Sequence, residues 1–372
     1  LSSLIRTHAA LLIAGILTFA IMGAGQSLYG PALPAFAREF GLTVGQAGWL
    51  VSALWIGSAT GVALMFFRGR QVTPRHALGV MVAGSGIIAA GIGWWPTLAG
   101  SVIFGMGYGI STVVFNPRVL RAFGAKGPSM VSLLNAMFAV GAIAAPLGFV
   151  AIGSNPQLAF AVVAGLCALI WLVAGTGDRV EEAAAGVATK PYRFRGRLLC
   201  FGVVCIGVEA CLIGLGPTAL ITAGASEETA ARALSGFFVA FLIARTALVF
   251  VAHLVPPFTI YAGAMTGAAV CALGAVILPA VPFFMAMGAF AGLFFPGFFV
   301  TASRVMGDDP RVTPTIIAAG LVGGISSPVI LGWLVEGMGE RGFFQIMAGL
   351  TLATCGAALF LLRRINAEVA RG

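Results

Sequence analysis

Charge is what this sequence has least of. Only 9% of its 372 residues are Asp, Glu, Lys or Arg, against about 25% in an ordinary soluble domain, so a water-facing surface of normal composition is excluded. The three histidines, His8, His76 and His253, are dispersed, and without a His or carboxylate cluster a membrane enzyme has no chemistry to offer. The six cysteines (Cys167, Cys200, Cys205, Cys211, Cys271 and Cys355) lie in apolar stretches with no CxxC pair. A zinc site and a disulfide framework are therefore not indicated, and the cysteines read as small buried hydrophobes. No polar stretch is long enough for a soluble sensing domain, which weighs against a non-transporting membrane sensor. Period-two alternation is also missing, which excludes a transmembrane barrel. No cofactor is expected.

What is present is apolar length. Hydrophobic residues make up 59% of the chain and the mean hydropathy is +1.03. At roughly 20 residues per span, the chain has room for twelve transmembrane helices. Charges, prolines and Gly-rich turns divide it into the apolar segments 8–34, 44–67, 76–93, 96–120, 128–152, 157–176, 198–222, 229–253, 257–279, 281–303, 312–336 and 342–362. The apolar stretch from Leu11 to Met22 lacks a following cleavage site, and the chain opens on Leu1 rather than Met; the stretch is read as part of a span. The longest polar interval falls near the centre, and it predicts an N-terminal six-helix bundle (1–176), a linker (177–197) and a C-terminal six-helix bundle (198–372).

The net charge of +9 raises the question of nucleic acid, and the distribution of the basic residues answers it. They sit in short loops at membrane edges, which is a topology signal and no nucleic-acid footprint. With both termini on the cytoplasmic side, eighteen of the 21 Lys and Arg lie inside, and only Arg38, Arg232 and Arg341 lie outside. The expected location is a bacterial inner membrane, with lipids as partners.

The two halves echo each other. Gly30-Pro31 recurs as Gly216-Pro217, Phe115-Asn116-Pro117 as Phe294-Phe295-Pro296, and Ala145-Pro146 as Ser327-Pro328, in the same order. Internal duplication is how many secondary transporters place a midplane site between repeats. The 52 glycines, in runs such as Gly105-x-Gly107-x-Gly109, suit close helix approach, either as static packing or as sliding surfaces.

Twelve segments, two halves and a central linker together resemble the major facilitator superfamily. In that family the loop after the second helix carries a Gly, an acid and several basic residues. Here Gly61 is followed by Arg68, Arg70 and Arg75, but the acid is missing. Gly105-Met106-Gly107-Tyr108-Gly109 leading to Asn116-Pro117, the run Leu134 to Ile143, Gly207-Val208-Glu209 and Ala244-Arg245 are similar to the fucose and glucose/galactose permease branch. The resemblance implies a carboxylate shortly before Asn116-Pro117, where this chain has Thr112. On the first helix it offers Gln26 and no acid. Glu209 matches the glucose-type members.

An ionisable group within a span is a functional hypothesis by default. Glu209 could accept hydroxyl groups of a solute or carry a coupling proton, or it could be a fixed structural partner. Asn135 and Asn116 can offer donor and acceptor together. Gln26 and Tyr29, three residues apart, lie on nearly one helix face, and the resemblance implies that the first and seventh helices line the cavity. Phe138, Phe241 and Phe295 could stack on a sugar ring or line a lipophilic pocket. Arg68, Arg70, Arg75 and Arg245 are the expected gating residues. Pro31, Pro34 and Pro217 mark places where a helix can break.

These residues point to a secondary active transporter of a small, polar, sugar-like solute, working by alternating access, with coupling to H+ or Na+ or none left open. Efflux of drugs or metabolites is the alternative. A single bundle pair can work alone, so a monomer is expected.

Overall fold

The computed structural model describes residues 8–68, 72–174, 192–307, 309 and 311–371, without the side chains of 66–68, 125, 128 and 371. Most of the expected linker, and Arg70 with it, lies outside the described residues. Within them the chain is helical throughout: α1 (Ala9–Phe40), α2 (Val44–Arg68), α3 (Pro74–Ala90), α4 (Trp94–Ala122), α5 (Gly127–Ala151), α6 (Pro156–Val173), α7 (Gly196–Gly214), α8 (Gly216–Thr222), α9 (Glu227–Val251), α10 (Pro257–Ile277), α11 (Ala280–Met306), α12 (Val312–Val335) and α13 (Gly342–Arg371). A 3-10 turn, Gly124–Lys126, precedes α5. Among the described residues eleven helices are long and apolar enough to cross a membrane; α3, with 17 residues, and the short α8 are not among them.

Local chemistry fixes the helix ends. Thr73 caps α3 by accepting from the His76 N–H, and Pro74 occupies the first turn, where its missing N–H costs nothing. Asn155 does the same for α6 through the Leu158 N–H. Ser226 caps α9, whose first turn carries Glu227 and Glu228 at the positive end of the helix dipole. Gly41 ends α1 in the left-handed conformation at φ 63°, which glycine adopts without a Cβ penalty. At the C-terminus of α10, Arg341 donates to the carbonyls of Ala275, Val276 and Leu278, satisfying acceptors that the helix leaves open.

Chain contacts divide the protein into two compact units, residues 1–42 with 49–182, and residues 43–48 with 183–372. In the first unit α1 packs on α5, and α3 packs on α4 and α6. Glycines make the closest approaches. A Cβ on Gly23 of α1 would overlap the Phe138 carbonyl of α5, and one on Gly141 of α5 would overlap the Ala20 carbonyl of α1. The α2 and α4 pair is equally reciprocal: Gly57 and Gly61 meet the carbonyls of Val102 and Met106, while Gly105 and Gly109 meet those of Leu54 and Ser58. Gly107, between the last two, faces α3 at Ala77 and Met81. The alternating run in α4 thus serves two neighbours at once.

The second unit repeats the scheme. There α7 packs on α12, α9 on α11, and α10 on α11 and α13. Gly323 of α12 meets the Val203 carbonyl of α7, while Gly207 of α7 meets the Ser327 hydroxyl. Gly288 and Gly292 of α11 face the carbonyls of Phe237 and Phe241 on α9. Gly105 and Gly109 of α4 therefore correspond in order to Gly288 and Gly292 of α11, and Gly141 of α5 to Gly323 of α12. Where lipid gives helices little reason to associate, such backbone-to-backbone contact supplies the packing energy.

Three expectations need correcting. The first apolar segment does not stop at 34, since α1 runs through Pro31 and Pro34 to Phe40. The segment 198–222 is not one helix: it ends as α7 at Gly214 and restarts as α8 at Gly216, where Pro217 has no N–H to continue the ladder. Cys200 is exposed, unlike the other five cysteines, which are buried.

Candidate functional site

In the first unit a polar and aromatic cluster joins α1, α4 and α5. Gln26 is buried, and its Oε1 accepts a hydrogen bond from the Tyr108 hydroxyl at 2.9 Å. The Tyr108 ring meets Phe138 edge to face, with centroids 6.3 Å apart. Tyr108, Thr112 and Asn116 follow at spacings of four on α4, so they share one helix face. All three are half-buried. Thr112 is turned back onto its own helix, where its hydroxyl donates to the carbonyls of Tyr108 and Gly109. Asn116 Oδ1 is buried and has no hydrogen-bond partner among the described residues. One turn before Phe138, Asn135 is exposed, and its Nδ2 donates to the Val131 carbonyl at 2.9 Å, which leaves Oδ1 to accept.

Tyr29 goes elsewhere. Only 1% exposed, it accepts at its hydroxyl from Ser101 Oγ at 3.0 Å and sets its ring edge against Phe160, while Ser101 also reaches the Leu50 carbonyl. This is a tie between α1, α2 and α4 inside the unit. The two tyrosines therefore make a contrasting pair. Removing the Tyr29 hydroxyl (Tyr29→Phe) is expected to lower stability by about 1 kcal/mol with solute affinity unchanged. Tyr108→Phe is expected to weaken solute binding about five- to tenfold besides a stability cost of about 1 kcal/mol, because its hydroxyl orients the buried Gln26 amide. Thermal unfolding and solute titration on the same samples check both.

The second unit gathers charge. Glu209 of α7 is half-buried, and its Oε2 is buried without a hydrogen-bond partner among the described residues. The positive charge acting on it is that of Arg245 on α9. Arg245 is itself positioned twice: its Nε donates to the Gly292 carbonyl of α11 at 3.1 Å, and its guanidinium lies over the Phe241 ring, 4.3 Å from the centroid. Phe241 in turn packs with Phe237 and Phe238. A Cβ on Gly292 would crowd the Phe241 carbonyl, so the glycine lets α9 come close enough for Arg245 to reach the α11 backbone. Phe295, one turn further along α11, is half-buried against Phe298 and Phe299.

Of the residues expected to gate, Arg75 is engaged within the first unit, donating to the Leu172 carbonyl and lying over the Trp171 ring at 5.3 Å. Arg68 ends α2, and its side chain, like Arg70, lies outside the described residues. Arg118 and Arg304, which the sequence places alike at the ends of α4 and α11, differ: Arg118 is buried and donates to the Val72 carbonyl, whereas Arg304 is exposed.

Tyr108 does not stand out in the sequence as a site residue, because it sits inside a glycine run that reads as packing. Its spacing of four from Thr112 and eight from Asn116 was the available signal. Among the described residues no group of His, Cys, Asp or Glu could hold a metal ion.

The fold is shared with solved transporters. The chain superposes on a nucleoside transporter with a TM-score of 0.76 at 15% identity, covering 95% of this chain and 99% of that one. A peptide transporter gives 0.76 at 12% identity, covering 96% and 95%. The E. coli fucose–proton symporter gives 0.63 at 18% identity, covering 94% and 98%. At these identities the likeness shows the fold, and it spreads over nucleoside, peptide and sugar carriers without singling out a branch. A comparison with curated protein sequences finds no match. The family model of the Major Facilitator Superfamily matches residues 15–315, well over half of the chain. The chain is thus a multi-pass secondary transporter, and it belongs to the Major Facilitator Superfamily.

Proposed function

We propose that this transporter carries a small, polar, sugar-like solute by alternating access and that protons couple at Glu209. The reading takes α3 as a further span beside the eleven, giving two six-helix bundles (1–176 and 198–372) joined by the linker 177–197. It places a single chain, acting as a monomer, in a bacterial inner membrane with both termini cytoplasmic.

The observation that carries the solute class is the Gln26–Tyr108 pair beside Phe138. An amide and a phenol hydroxyl offer donors and acceptors together, which is what a polyhydroxylated ring requires, and an aromatic edge alongside suits the apolar face of such a ring. Asn116 Oδ1, without a hydrogen-bond partner among the described residues and on the same face of α4, adds an acceptor. Two of the structural relatives point the same way, being named for a nucleoside and for fucose, both of which carry hydroxyl groups. For coupling, Glu209 offers a carboxylate within a span with Arg245 as its charged partner. Protonation would release Arg245 from that attraction while its contacts to Gly292 and Phe241 remain. The fucose relative is named a proton symporter.

Entrance counterflow in proteoliposomes tests the solute class without any ion gradient. Vesicles preloaded with unlabelled solute are expected to draw in radiolabelled hexoses, pentoses or nucleosides transiently above equilibrium. Counterflow of a lipophilic cation alone would replace this reading by efflux, with Phe138, Phe241 and Phe295 as the walls of an aromatic pocket.

A further inference from the structure

A cavity lies far along the chain from Gln26 and Tyr108. Within the second unit, where α7 begins and α11 and α13 end, the protein has a half-open cavity of about 260 Å³. Its inner walls are apolar, formed by Phe201, Val305 and Ile365 among others, and its rim carries Arg195, Arg197 and Arg364 with one carboxylate, Glu368. Glu368 lies 3.8 Å from Arg195 and 3.5 Å from Arg364. One carboxylate among three guanidiniums leaves two positive charges in excess. Gly196 contributes backbone to the same wall, and no side chain among the described residues caps α7 there, so the positive end of a 19-residue helix opens onto the cavity.

The site is built in advance. The strand of chain entering α7 is fastened by the Arg193 N–H to the Met306 carbonyl at 2.9 Å and by the Tyr192 hydroxyl to Thr315 Oγ1 at 3.2 Å. Arg311 lies over the Tyr192 ring at 4.9 Å and is forked onto Asp309 at 2.8 and 2.9 Å. That fork holds the Asp309 carboxyl down to about 2. A carboxyl lowered from the ordinary value of about 3.9 contributes its ion pair fully above that value, and the contribution fades as pH falls through about 2. The fastening is therefore intact at any physiological pH.

We propose that this cavity binds an anionic phospholipid, its phosphate held by Arg195, Arg197 and Arg364 and its glycerol and upper acyl carbons against the apolar walls. Guanidinium forks match phosphate oxygens in pairs. The ends of membrane-spanning helices lie at headgroup depth, and basic pockets between helices at that depth suit anionic lipid heads. A free phosphate would use the rim and leave the apolar walls without a role.

The test uses the purified full chain in detergent, with phosphatidylglycerol, phosphatidylcholine or inorganic phosphate as probes. Native mass spectrometry counts bound lipid, and thermal unfolding gives the stabilisation. Phosphatidylglycerol is expected to stay bound and raise the melting midpoint, while phosphatidylcholine and millimolar phosphate do neither. Arg197→Gln alone should weaken phosphatidylglycerol binding about fivefold, since a basic residue near a membrane surface contributes about that factor. Arg195→Gln, Arg197→Gln and Arg364→Gln together should abolish it. Arg232→Gln, an equal change in net charge at an exposed residue paired with Glu228, should leave it unaltered. If the threefold variant does not fold, Arg197→Gln alone decides. Wild-type affinity in Arg197→Gln, equal binding of phosphatidylcholine, or full stabilisation by phosphate alone would each overturn the proposal.

Discussion

Glu209→Gln is expected to lower proton-driven accumulation about a hundredfold while the protein still folds and still exchanges solute across the membrane. Glutamine keeps the size and shape of the side chain and removes its ionisable proton. The carboxylate is half-buried on α7, with Oε2 unpartnered among the described residues and Arg245 as the charge acting on it. A charge held within a span is costly enough that its retention calls for a role, and a proton arriving and leaving there changes the attraction on Arg245 in step. The fold should tolerate the change, because Arg245 keeps the Gly292 carbonyl and the Phe241 ring. Accumulation and counterflow measured on one preparation separate the two effects. Equal loss of both would make Glu209 a solute-binding group, and full accumulation in the variant would remove it from coupling altogether.

Gly141→Ala should be the most damaging of the single-methyl changes in the first unit, costing about 3 kcal/mol, the upper range for overpacking. The added Cβ would overlap the Ala20 carbonyl of α1. Both partners are backbone, so no side-chain rotation relieves the clash, and α1 would have to withdraw along its contact with α5. The same substitution seven residues later on α5, Gly148→Ala, meets nothing within 4 Å and should fall within about 0.5 kcal/mol of wild type. Thermal unfolding in detergent compares the pair. Equal midpoints for the two variants would show that the α1 and α5 contact is looser than described.

Much of the helix inventory was legible because a bilayer imposes a length and a composition on every span, and breaks in apolar character mark the loops. What that logic misses is any feature set by packing. α1 passes Arg38 and Glu39, which read as loop, because the stop signal is the left-handed Gly41 and not the first charge. Pro31 and Pro217 look alike in sequence, yet only the second coincides with a break, between α7 and α8. Cys200 is as apolar in context as its five buried counterparts but is exposed. Hydropathy cannot separate a core face from a lipid face, since both are apolar solvents.

The site shows the same division. Glu209, Gln26 and Arg245 stood out as polar groups in apolar runs, which is a chemical anomaly visible in one dimension. Tyr29 was grouped with Gln26 by its spacing of three, but that spacing leaves the two side chains about 60° apart around the helix. Here the difference is enough to send Tyr29 to Ser101 and Gln26 to Tyr108. The Tyr108 contact joins residues 82 positions apart, and no local pattern announces it.

The most direct measurement is accumulation of radiolabelled hexoses, deoxyhexoses and nucleosides in proteoliposomes, with and without an imposed pH gradient. Concentrative uptake of at least one of these solutes, present with the gradient and reduced to equilibration without it, is the predicted result. Uptake indifferent to pH for every hydroxylated solute, with a lipophilic cation moved instead, would contradict both the solute class and the coupling role of Glu209.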